Sequence, residues 1–453
     1  MNRFKLIGSY DESSIRTINE MDLEIVHIPL VTEQKTLKYG IGKVVDKMLE
    51  NGICPTEKGI DVMVLATLVY LADTRISRTK NSQDSWTREI TIQLPVIDVD
   101  EWDSVHDDLV RMLNFLTGDK WNFCFEKRIL KFGDLQSRLK ERREFEIVSL
   151  FSGGMDSLIS TINYLEENKQ LLLISHAGDG HTKSAQKAIL EVLEEKYENI
   201  KPVQLDLWMV FDKDIVPNGY TDNTTRSRSF LFIALGILAL SGLPQLHRLE
   251  VPENGLIALN VPLDNLRVGS HSTRTTHPFY LSMWNKILNN IGFSINVENK
   301  YWYRTKGEMA TECKNRQLLL ELMKQSVSCS SPGKARWGGF PPQHCGFCVP
   351  CLIRRAAMLK AFGFGNDSTE YTKQNVAEIR QNHSKGMGIQ LRSFEYAIER
   401  IRKNPELAKL LIHKPGPLPG NSEYLEALVD VYVRGLNEVG TFIQTSLSNE
   451  VND

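Results

Sequence analysis

From residue 145 onward the hydrophobic positions follow two alternating periods. Short apolar runs at 145–151, 170–175, 203–207 and 249–251 have the length of buried strands. The segments between and after them carry apolar residues at helical spacing, over 157–167, 182–197, 226–240 and 278–291. Strands that alternate with helices indicate an α/β fold with a parallel sheet and right-handed crossovers. The pattern therefore predicts an α/β domain over this part of the chain.

The N-terminal 145 residues carry a different and less regular pattern. Residues 62–71 are apolar enough for a helix, and at 90–96 apolar and polar residues alternate as in a strand. We predict a separate N-terminal accessory domain over 1–145. Four charged residues within it could form a polar site, although surface ion pairs are the default interpretation; they are Asp73, Arg75, Arg78 and Arg88.

The C-terminal part begins at a glycine-containing segment, 362–368, which predicts a linker because glycine breaks helices. The sequence beyond it is polar and mostly helical in pattern. We therefore predict a central domain over 146–362 and a mostly helical C-terminal region over 363–453.

Composition narrows the class of protein. The apolar content of 42% and the charged content of 24% over 453 residues are ordinary for a globular enzyme of two or three domains. A net charge of −2 argues against nucleic acid as a partner. The longest apolar run, 230–240, is far shorter than the roughly 20 residues that cross a bilayer, so it predicts a buried helix. We expect a cytoplasmic protein without membrane contact. A homodimer is a possible oligomeric state.

One heptapeptide, Phe151-Ser152-Gly153-Gly154-Met155-Asp156-Ser157, lies between a predicted strand and a predicted helix. Glycines at such a turn let backbone N–H groups approach a ligand closely. The first N–H groups and the dipole of the following helix favour phosphate oxygens. The two serines add hydroxyl donors, and Asp156 could hold a Mg²⁺ that the phosphates also bind. The heptapeptide therefore predicts a nucleotide-phosphate site, with an ordinary glycine turn as the alternative.

This loop differs from two common phosphate motifs. A Walker loop has a Lys after its second glycine, and a dinucleotide fingerprint has spaced glycines. Residues 152–157 instead resemble the SGGxDS signature of the PP-loop ATP pyrophosphatases, whose core is adenine nucleotide alpha hydrolase-like. The resemblance implies that ATP is cleaved to AMP and pyrophosphate, with the loop residues Ser152, Gly153, Gly154, Met155, Asp156 and Ser157 around the nucleotide.

Four of the seven cysteines crowd into residues 329–351. Two residues separate each of the last three, and the first lies sixteen positions upstream; they are Cys329, Cys345, Cys348 and Cys351. Such spacing is typical of a closed structural Zn²⁺ site in a reducing compartment. An iron–sulfur cluster is the main alternative, but Arg355 stands where a ferredoxin has its next Cys. His344 is a weaker candidate ligand.

We call the predicted phosphate-binding heptapeptide 151–157 the phosphate loop. Together with the Cys cluster, it resembles the 7-cyano-7-deazaguanine synthase (QueC) family of PP-loop enzymes over about 146–362. Residues 305–308 (Thr-Lys-Gly-Glu) match that family's T-K-x-E helix start, and Arg354 matches its Arg after the last Cys. Arg228, which opens the predicted helix at 226–240, aligns with the Arg of its Arg-Asn pair. The resemblance implies that the four cysteines hold zinc.

The chain also departs from that family. The SGYPDCR substrate loop is absent, and Asn254-Gly255 and the polar segment 269–278 stand at the equivalent place. The first two metal cysteines lie farther apart than is typical, and both terminal regions are additional. These features are similar to the QueC-like proteins of antiphage operons (CBASS and Qat types). They imply a role in defence, with transfer of a deazaguanine acyl group to a partner protein from the same operon.

The implied reaction is attack by the carboxylate of a 7-deazaguanine on the α-phosphorus of ATP, followed by displacement of AMP by an amine. An anion approaching phosphorus requires converging positive charge. Besides Asp156 with Mg²⁺, the candidates are Arg228 and Lys183 at phosphate, Arg274 at the substrate carboxylate, His277 as a base and His176 at the nucleotide. For Lys183 and His176, plain surface positions remain the alternative. Two other functions stay open, namely an RNA-thiolating PP-loop enzyme and a nucleotide-sensing scaffold.

Overall fold

The computed structural model describes residues 3–11, 17–20, 22–224, 226–264, 274–382 and 386–450. Its first sheet comes from the N-terminal part of the chain. The strands, named in chain order, are β1 (Arg3–Ser9), β2 (Thr17–Glu20), β3 (Leu23–Pro29), β4 (Glu89–Val96) and β5 (Lys120–Lys127). They lie in the order β2-β3-β1-β4-β5; β2 runs antiparallel to β3, and the other pairs are parallel. The strand predicted over 90–96 is confirmed by β4.

The helices that accompany this sheet are α1 (Ile41–Glu50), α2 (Glu57–Arg75), α3 (Arg78–Asn81), α4 (Val99–Ser104) and α5 (His106–Thr117). The helix predicted over 62–71 is confirmed and is longer than expected. Almost every residue of α2 is buried, as its apolar composition around the whole helix requires. The helix is therefore enclosed by protein rather than laid on a surface.

The second sheet has five parallel strands, β6 (Ile147–Leu150), β7 (Leu171–His176), β8 (Val203–Leu207), β9 (Arg248–Glu250) and β10 (Asn296–Glu298). Its helices are α6 (Met155–Glu166), α7 (Gly180–Lys196), α8 (Arg228–Ser241), α9 (Gly255–Leu259) and α10 (Pro278–Asn290). The predicted alternation of strands and helices, and the parallel sheet that it implied, are confirmed.

The strand order of this second sheet, β10-β9-β6-β7-β8, reverses direction at β6. The chain moves outward from β6 to β7 and β8, and then returns to β9 on the other side of β6. In open parallel sheets, ligands bind beyond the carboxyl ends of the strands at such a reversal. The predicted phosphate loop follows β6 and so begins at this point.

Helix α8 packs against α2 and joins the two sheets into one apolar core. The apolar residues of α8 are buried throughout, which confirms the buried helix predicted over 230–240. Buried residues from Phe4 to Val297 form one continuous cluster. The domain boundary at residue 145 stays a prediction. Within the described ranges, no helix has both the length and the apolar character to cross a bilayer.

The remaining helices are α11 (Lys306–Thr311), α12 (Arg316–Leu322), α13 (Val349–Phe362), α14 (Val376–Gln381), α15 (Gly386–Lys403), α16 (Leu407–Leu411) and α17 (Ser422–Glu450). The predicted helical character of the C-terminal region is confirmed. Its long helix α17 packs on α13 and α9. The buried Glu438 of α17 accepts hydrogen bonds from Gly307 N (2.8 Å) and Thr305 Oγ1 (2.6 Å) at the start of α11. The C-terminal region is thereby fixed to the central one.

Candidate functional site

The loop after β6 is held open by contacts from outside it. Gly153 has a φ of +78°, which side-chain-bearing residues rarely adopt, and a Cβ there would lie 3.0 Å from the Gln186 side chain. Gln186 Nε2 donates to the carbonyls of Phe151 (3.4 Å) and Ser152 (3.1 Å). Val327 N donates to the Gly153 carbonyl at 2.9 Å. The conformation of the loop is therefore fixed by α7 and by the segment that precedes Cys329.

Helix α6 begins directly after Gly154 and has no side-chain cap among the described residues. Ser152 and Ser157 face one another with their hydroxyl oxygens 3.1 Å apart, and Ser157 Oγ also donates to the Gly154 carbonyl at 3.0 Å. Met155 turns into the apolar core, so only its backbone can contribute to a site. A helix N-terminus flanked by two hydroxyls suits an anion.

Asp156 is buried behind this helix start and is held on both oxygens. Lys306 Nζ donates to Oδ1 at 2.6 Å, and Asn254 donates to Oδ2 from its backbone (3.1 Å) and its side chain (2.8 Å). Burial opposes ionisation, but the Lys306 ammonium and the hydrogen bonds outweigh it and hold the pKa of Asp156 at about 2. Asp156 is thus an ionised carboxylate in the folded protein.

Glu253 is a second acid at this place and was not predicted. Burial and the negative charge of the neighbouring Asp156 raise the pKa of Glu253 well above its usual value. Asn254 Nδ2 donates to Glu253 Oε1 at 3.0 Å as well as to Asp156. Glu253 and Asn254 follow β9, the strand beside β6. Their position after a strand at the sheet reversal was the signal that could have identified them.

A cavity of about 280 Å³ opens between the phosphate loop and α8. It brings together three of the predicted residues, Ser152, Ser157 and Arg228. The rest of its polar lining is Thr182, Ser229, Glu253, Thr275 and Thr276, and Cys329 lies at its wall. Its apolar walls are Leu150, Phe232, Ile233, Val251, Pro252 and Val327. Apolar walls with a few convergent polar groups are typical of a small-molecule site.

Arg228 is the first residue of α8 and points its guanidinium across the end of β7. Its Nη2 donates to the carbonyl of His176 at 2.9 Å, and burial lowers its pKa. The His176 ring is buried against Tyr70, with ring centroids 5.5 Å apart. Burial and the Arg228 charge lower the pKa of His176 to about 3, so the ring is neutral. His176 therefore positions Arg228 through its backbone, and the predicted surface alternative for His176 is wrong.

Two predicted cations, Lys183 and Arg274, do not line this cavity. Lys183 is exposed, with Nζ 3.6 Å from Asp206 Oδ2 and 5.2 Å from the centroid of the Trp208 ring. Arg274 Nη1 donates to the carbonyl of Phe115 at 2.8 Å, and the guanidinium lies over that ring. The geometry gives Arg274 a contact with α5 instead of a place in the cavity.

His277 is the N-cap of α10, not an accessible base. Its Nδ1 accepts the N–H of Phe279 at 3.2 Å, and the ring is fully buried. Burial and the neighbouring Arg274 lower the pKa of His277 to about 3. The rest of the polar segment that we predicted for recognition, 269–273, lies outside the described residues.

The four predicted cysteines converge, with all Sγ atoms within 4.8 Å of one another. The Sγ separations of 3.9 Å for Cys329–Cys348 and for Cys345–Cys351 match the roughly 3.8 Å edge of a tetrahedron with Zn–S bonds of ~2.3 Å. Gly346, at φ +89°, forms the chelating turn, where a Cβ would lie 2.1 Å from the Lys373 carbonyl. The group could bind a metal such as zinc.

His344 and Arg354 support this group from outside. His344 Nε2 accepts the N–H of Ser328 at 3.0 Å, so the weaker ligand candidate is engaged elsewhere. Arg354 is fully buried and donates to Ser326 Oγ (2.8 Å) and Thr369 Oγ1 (2.9 Å). The segment 326–329 is thus fixed by Arg354 and also contacts the phosphate loop through Val327. The Cys group and the phosphate loop are therefore one connected structure.

Of the four charged residues predicted as surface ion pairs in the N-terminal part, Asp73, Arg78 and Arg88 are instead buried. Arg78 Nη2 and Arg88 Nη2 each lie 2.8 Å from Asp73 Oδ1 and 2.6 Å from Asp119 Oδ2. Asp73 Oδ2 accepts the N–H and the hydroxyl of Ser227, both at 2.9 Å. Arg75 lies apart and donates to backbone carbonyls. The four-residue network therefore fixes the residue that precedes Arg228.

Comparisons with known proteins do not assign this chain to a family. No family model matches it, and no curated protein is similar to it.

Proposed function

We propose that this chain activates a carboxylate as its adenylate, using ATP and releasing pyrophosphate, and then transfers the acyl group to an amine. The observation that carries the proposal is the strand–glycine–helix loop at the sheet reversal, which faces one cavity together with Arg228. The resemblance of the loop and the cysteines to QueC-like enzymes supports a 7-deazaguanine carboxylate as the substrate.

In the first step, a carboxylate oxygen forms a bond to the α-phosphorus of ATP. The bond from that phosphorus to the oxygen bridging toward the β-phosphorus breaks, and pyrophosphate leaves with the electron pair. In the second step, an amine attacks the acyl carbon, AMP leaves, and the amine loses a proton. No oxidant or reductant is required.

The residues of the cavity have distinct tasks in this scheme. The N–H groups at the start of α6 and the hydroxyls of Ser152 and Ser157 would bind the phosphates. Arg228 would neutralise charge that develops during the attack. Asp156, held by Lys306, would fix the loop. The carboxylate oxygens of Asp156 and Glu253 would offer their remaining lone pairs to Mg²⁺. Bound there, Mg²⁺ would neutralise negative charge on the phosphates.

Zinc in the four-cysteine group would act structurally. The four thiolates would fill a tetrahedral coordination shell, which would leave no position for a substrate. The metal would tie Cys329, at the cavity wall, to α13. Removing the metal would then disturb the phosphate loop through the segment 326–329.

The test supplies ATP and 7-carboxy-7-deazaguanine with Mg²⁺ and ammonia, and it follows AMP, pyrophosphate and the acyl product by mass spectrometry. A carboxylate labelled with ¹⁸O should transfer one label to AMP, because one of its oxygens becomes a phosphate oxygen. Lys183→Ala is the control variant and should keep its activity, since Lys183 is an exposed cation that does not line the cavity. Production of ADP and orthophosphate, or unlabelled AMP, would contradict the proposal.

A further inference from the structure

The segment between the first two metal cysteines, residues 330–344, exposes two aromatic side chains; we call it the Cys loop. Trp337 is 85% exposed and Phe340 is 45% exposed. A short 3₁₀ helix (Pro332–Gly338) carries Trp337, and Ala335 anchors that helix in the protein. Both ends of the loop are fixed at Cys329 and Cys345. A Trp presented on such a closed loop is typical of a protein interface, where Trp and Arg dominate the binding energy.

The charged residues of the Cys loop itself are cations, and an exposed acid, Glu370, lies at the cavity that Pro341 and Pro342 line. Residues 322–366 contain six Lys and Arg and no Asp or Glu. Three of these cations are exposed, namely Lys324, Lys334 and Arg336. None of the three takes part in an ion pair within the part of the chain that the structure describes. A surface with aromatic side chains and unpaired cations complements an acidic partner.

The Cys loop also lies beside the candidate active site. Cys329, at its start, lines the cavity that contains the phosphate loop. Pro341 and Pro342, near its end, line a second cavity of about 320 Å³ together with Lys324 and His181. His181 is followed by Thr182, which lines the first cavity. A polypeptide bound along the Cys loop would therefore pass next to the site of acyl transfer.

We propose that the Cys loop is a docking surface for an acidic segment of a partner protein, with Trp337 as its apolar anchor and Lys334 and Arg336 as its cationic contacts. Nucleic acid is the less favoured partner, because it requires many phosphate contacts and the chain has a net charge of −2. The docking does not depend on the proposed reaction. Its consequence, the delivery of an acceptor amine to the cavity, rests on the proposed function.

The probe for the test is a fluorescein-labelled peptide rich in Glu and Asp that carries two leucines, with binding followed by fluorescence anisotropy. We expect the full chain to bind it and Trp337→Ala to weaken binding at least about thirtyfold. Arg336→Glu should weaken it about tenfold. The controls are Tyr396→Ala, an exposed aromatic on α15, and Lys201→Glu, an exposed cation at the amino end of β8. Both should bind as the unchanged chain does.

Three outcomes would overturn the proposal. The first is that the chain does not bind the acidic peptide. The second is that Trp337→Ala binds the peptide as tightly as the unchanged chain does. The third is that the chain binds an oligothymidylate of the same length more tightly than the peptide, and that Trp337→Ala and Arg336→Glu abolish this binding. Pyrophosphate release with ammonia as the amine separates this proposal from the proposed function. Trp337→Ala should leave that release unchanged. The peptide assay contains no ATP, so its result does not depend on the proposed reaction.

Discussion

Two of the buried clusters in the described part of the chain are each built around an aspartate, Asp156 or Asp73, and they differ in what lies beside them. Asp156 is held by Lys306 and Asn254, and the adjoining Glu253 opens into a cavity. Asp73 is held by Arg78 and Arg88, and its remaining neighbours, including Asp119, are buried as well. Similar ionic chemistry therefore adjoins a cavity at one place and is enclosed by protein at the other. The difference lies in access to a ligand, which charge alone does not determine.

The two clusters are also linked to the same cavity. The Asp156 cluster supports the loop that carries Ser152 and Ser157. The Asp73 network accepts hydrogen bonds from Ser227, directly before Arg228. A substitution in the first cluster should mainly change activity, and one in the second should mainly change stability. The following experiments test that contrast.

Asp156→Asn should reduce pyrophosphate release by about a thousandfold, because the amide cannot balance Lys306 or hold a cation at the phosphates. The measurement is AMP and pyrophosphate formation, with circular dichroism to verify the fold. Turnover at the unchanged rate would break the contrast, since the first cluster would then have no part in the chemistry.

Cys348→Ser should lose the bound metal and destabilise the segment 326–329, because three thiolates hold a metal less tightly than four. Hydrogen exchange should increase at the phosphate loop and remain unchanged around Asp73. Metal content by elemental analysis provides the control. Zinc predicts a colourless protein, whereas a brown, oxygen-sensitive preparation would favour an iron–sulfur cluster and the RNA-thiolation alternative.

Arg88→Met should lower the free energy of unfolding by about 3–5 kcal/mol, because it leaves Asp73 and Asp119 buried with one fewer cation. Urea denaturation measures this loss. At low temperature, where the variant is folded, kcat should change little. A large loss of kcat without a loss of stability would make the network part of the active site.

Acid should weaken both clusters. Burial opposes ionisation of Asp73 and Asp156. The cations Arg88 and Arg78 beside Asp73, and Lys306 beside Asp156, nevertheless hold the pKa of each carboxyl at about 2. The unfolded value is about 3.9, so the folded carboxylates stabilise the protein above about pH 4 and lose this contribution as the pH falls through about 2. We expect about 2–3 kcal/mol for each group. Asp73→Asn should remove its share of the acid-sensitive stability measured by urea denaturation across this pH range.

Arg228→Ala should reduce kcat/KM for pyrophosphate release by about tenfold to a hundredfold, because it removes a positive charge at the cavity. Arg274→Ala is the matched comparison. Its guanidinium contacts Phe115 on α5, so we expect a change of less than about threefold. Equal losses in the two variants would show that Arg274 reaches the substrate after all.

The amino-acid sequence by itself determined the features that depend on residues close together in the chain. The alternation of strands and helices from β6 to α10, the glycine loop before α6 and the spacing of Cys345, Cys348 and Cys351 are local patterns. Each is imposed by backbone geometry or by the reach of a short chelating turn. They could be read correctly without knowing what packs against them.

Only the tertiary structure decided which polar side chains meet. Glu253 joined Asp156 because β9 returns beside β6. Asp119 joined Asp73 because β5, which Asp119 precedes, pairs with β4, and α2 packs on β4. Arg274 and His277 have the residue types of an active site, but α5 and the start of α10 engage them instead. Pairings between residues this far apart in the chain leave no periodic trace in a sequence, because the energy that selects them comes from burial, and burial exists only in the folded chain.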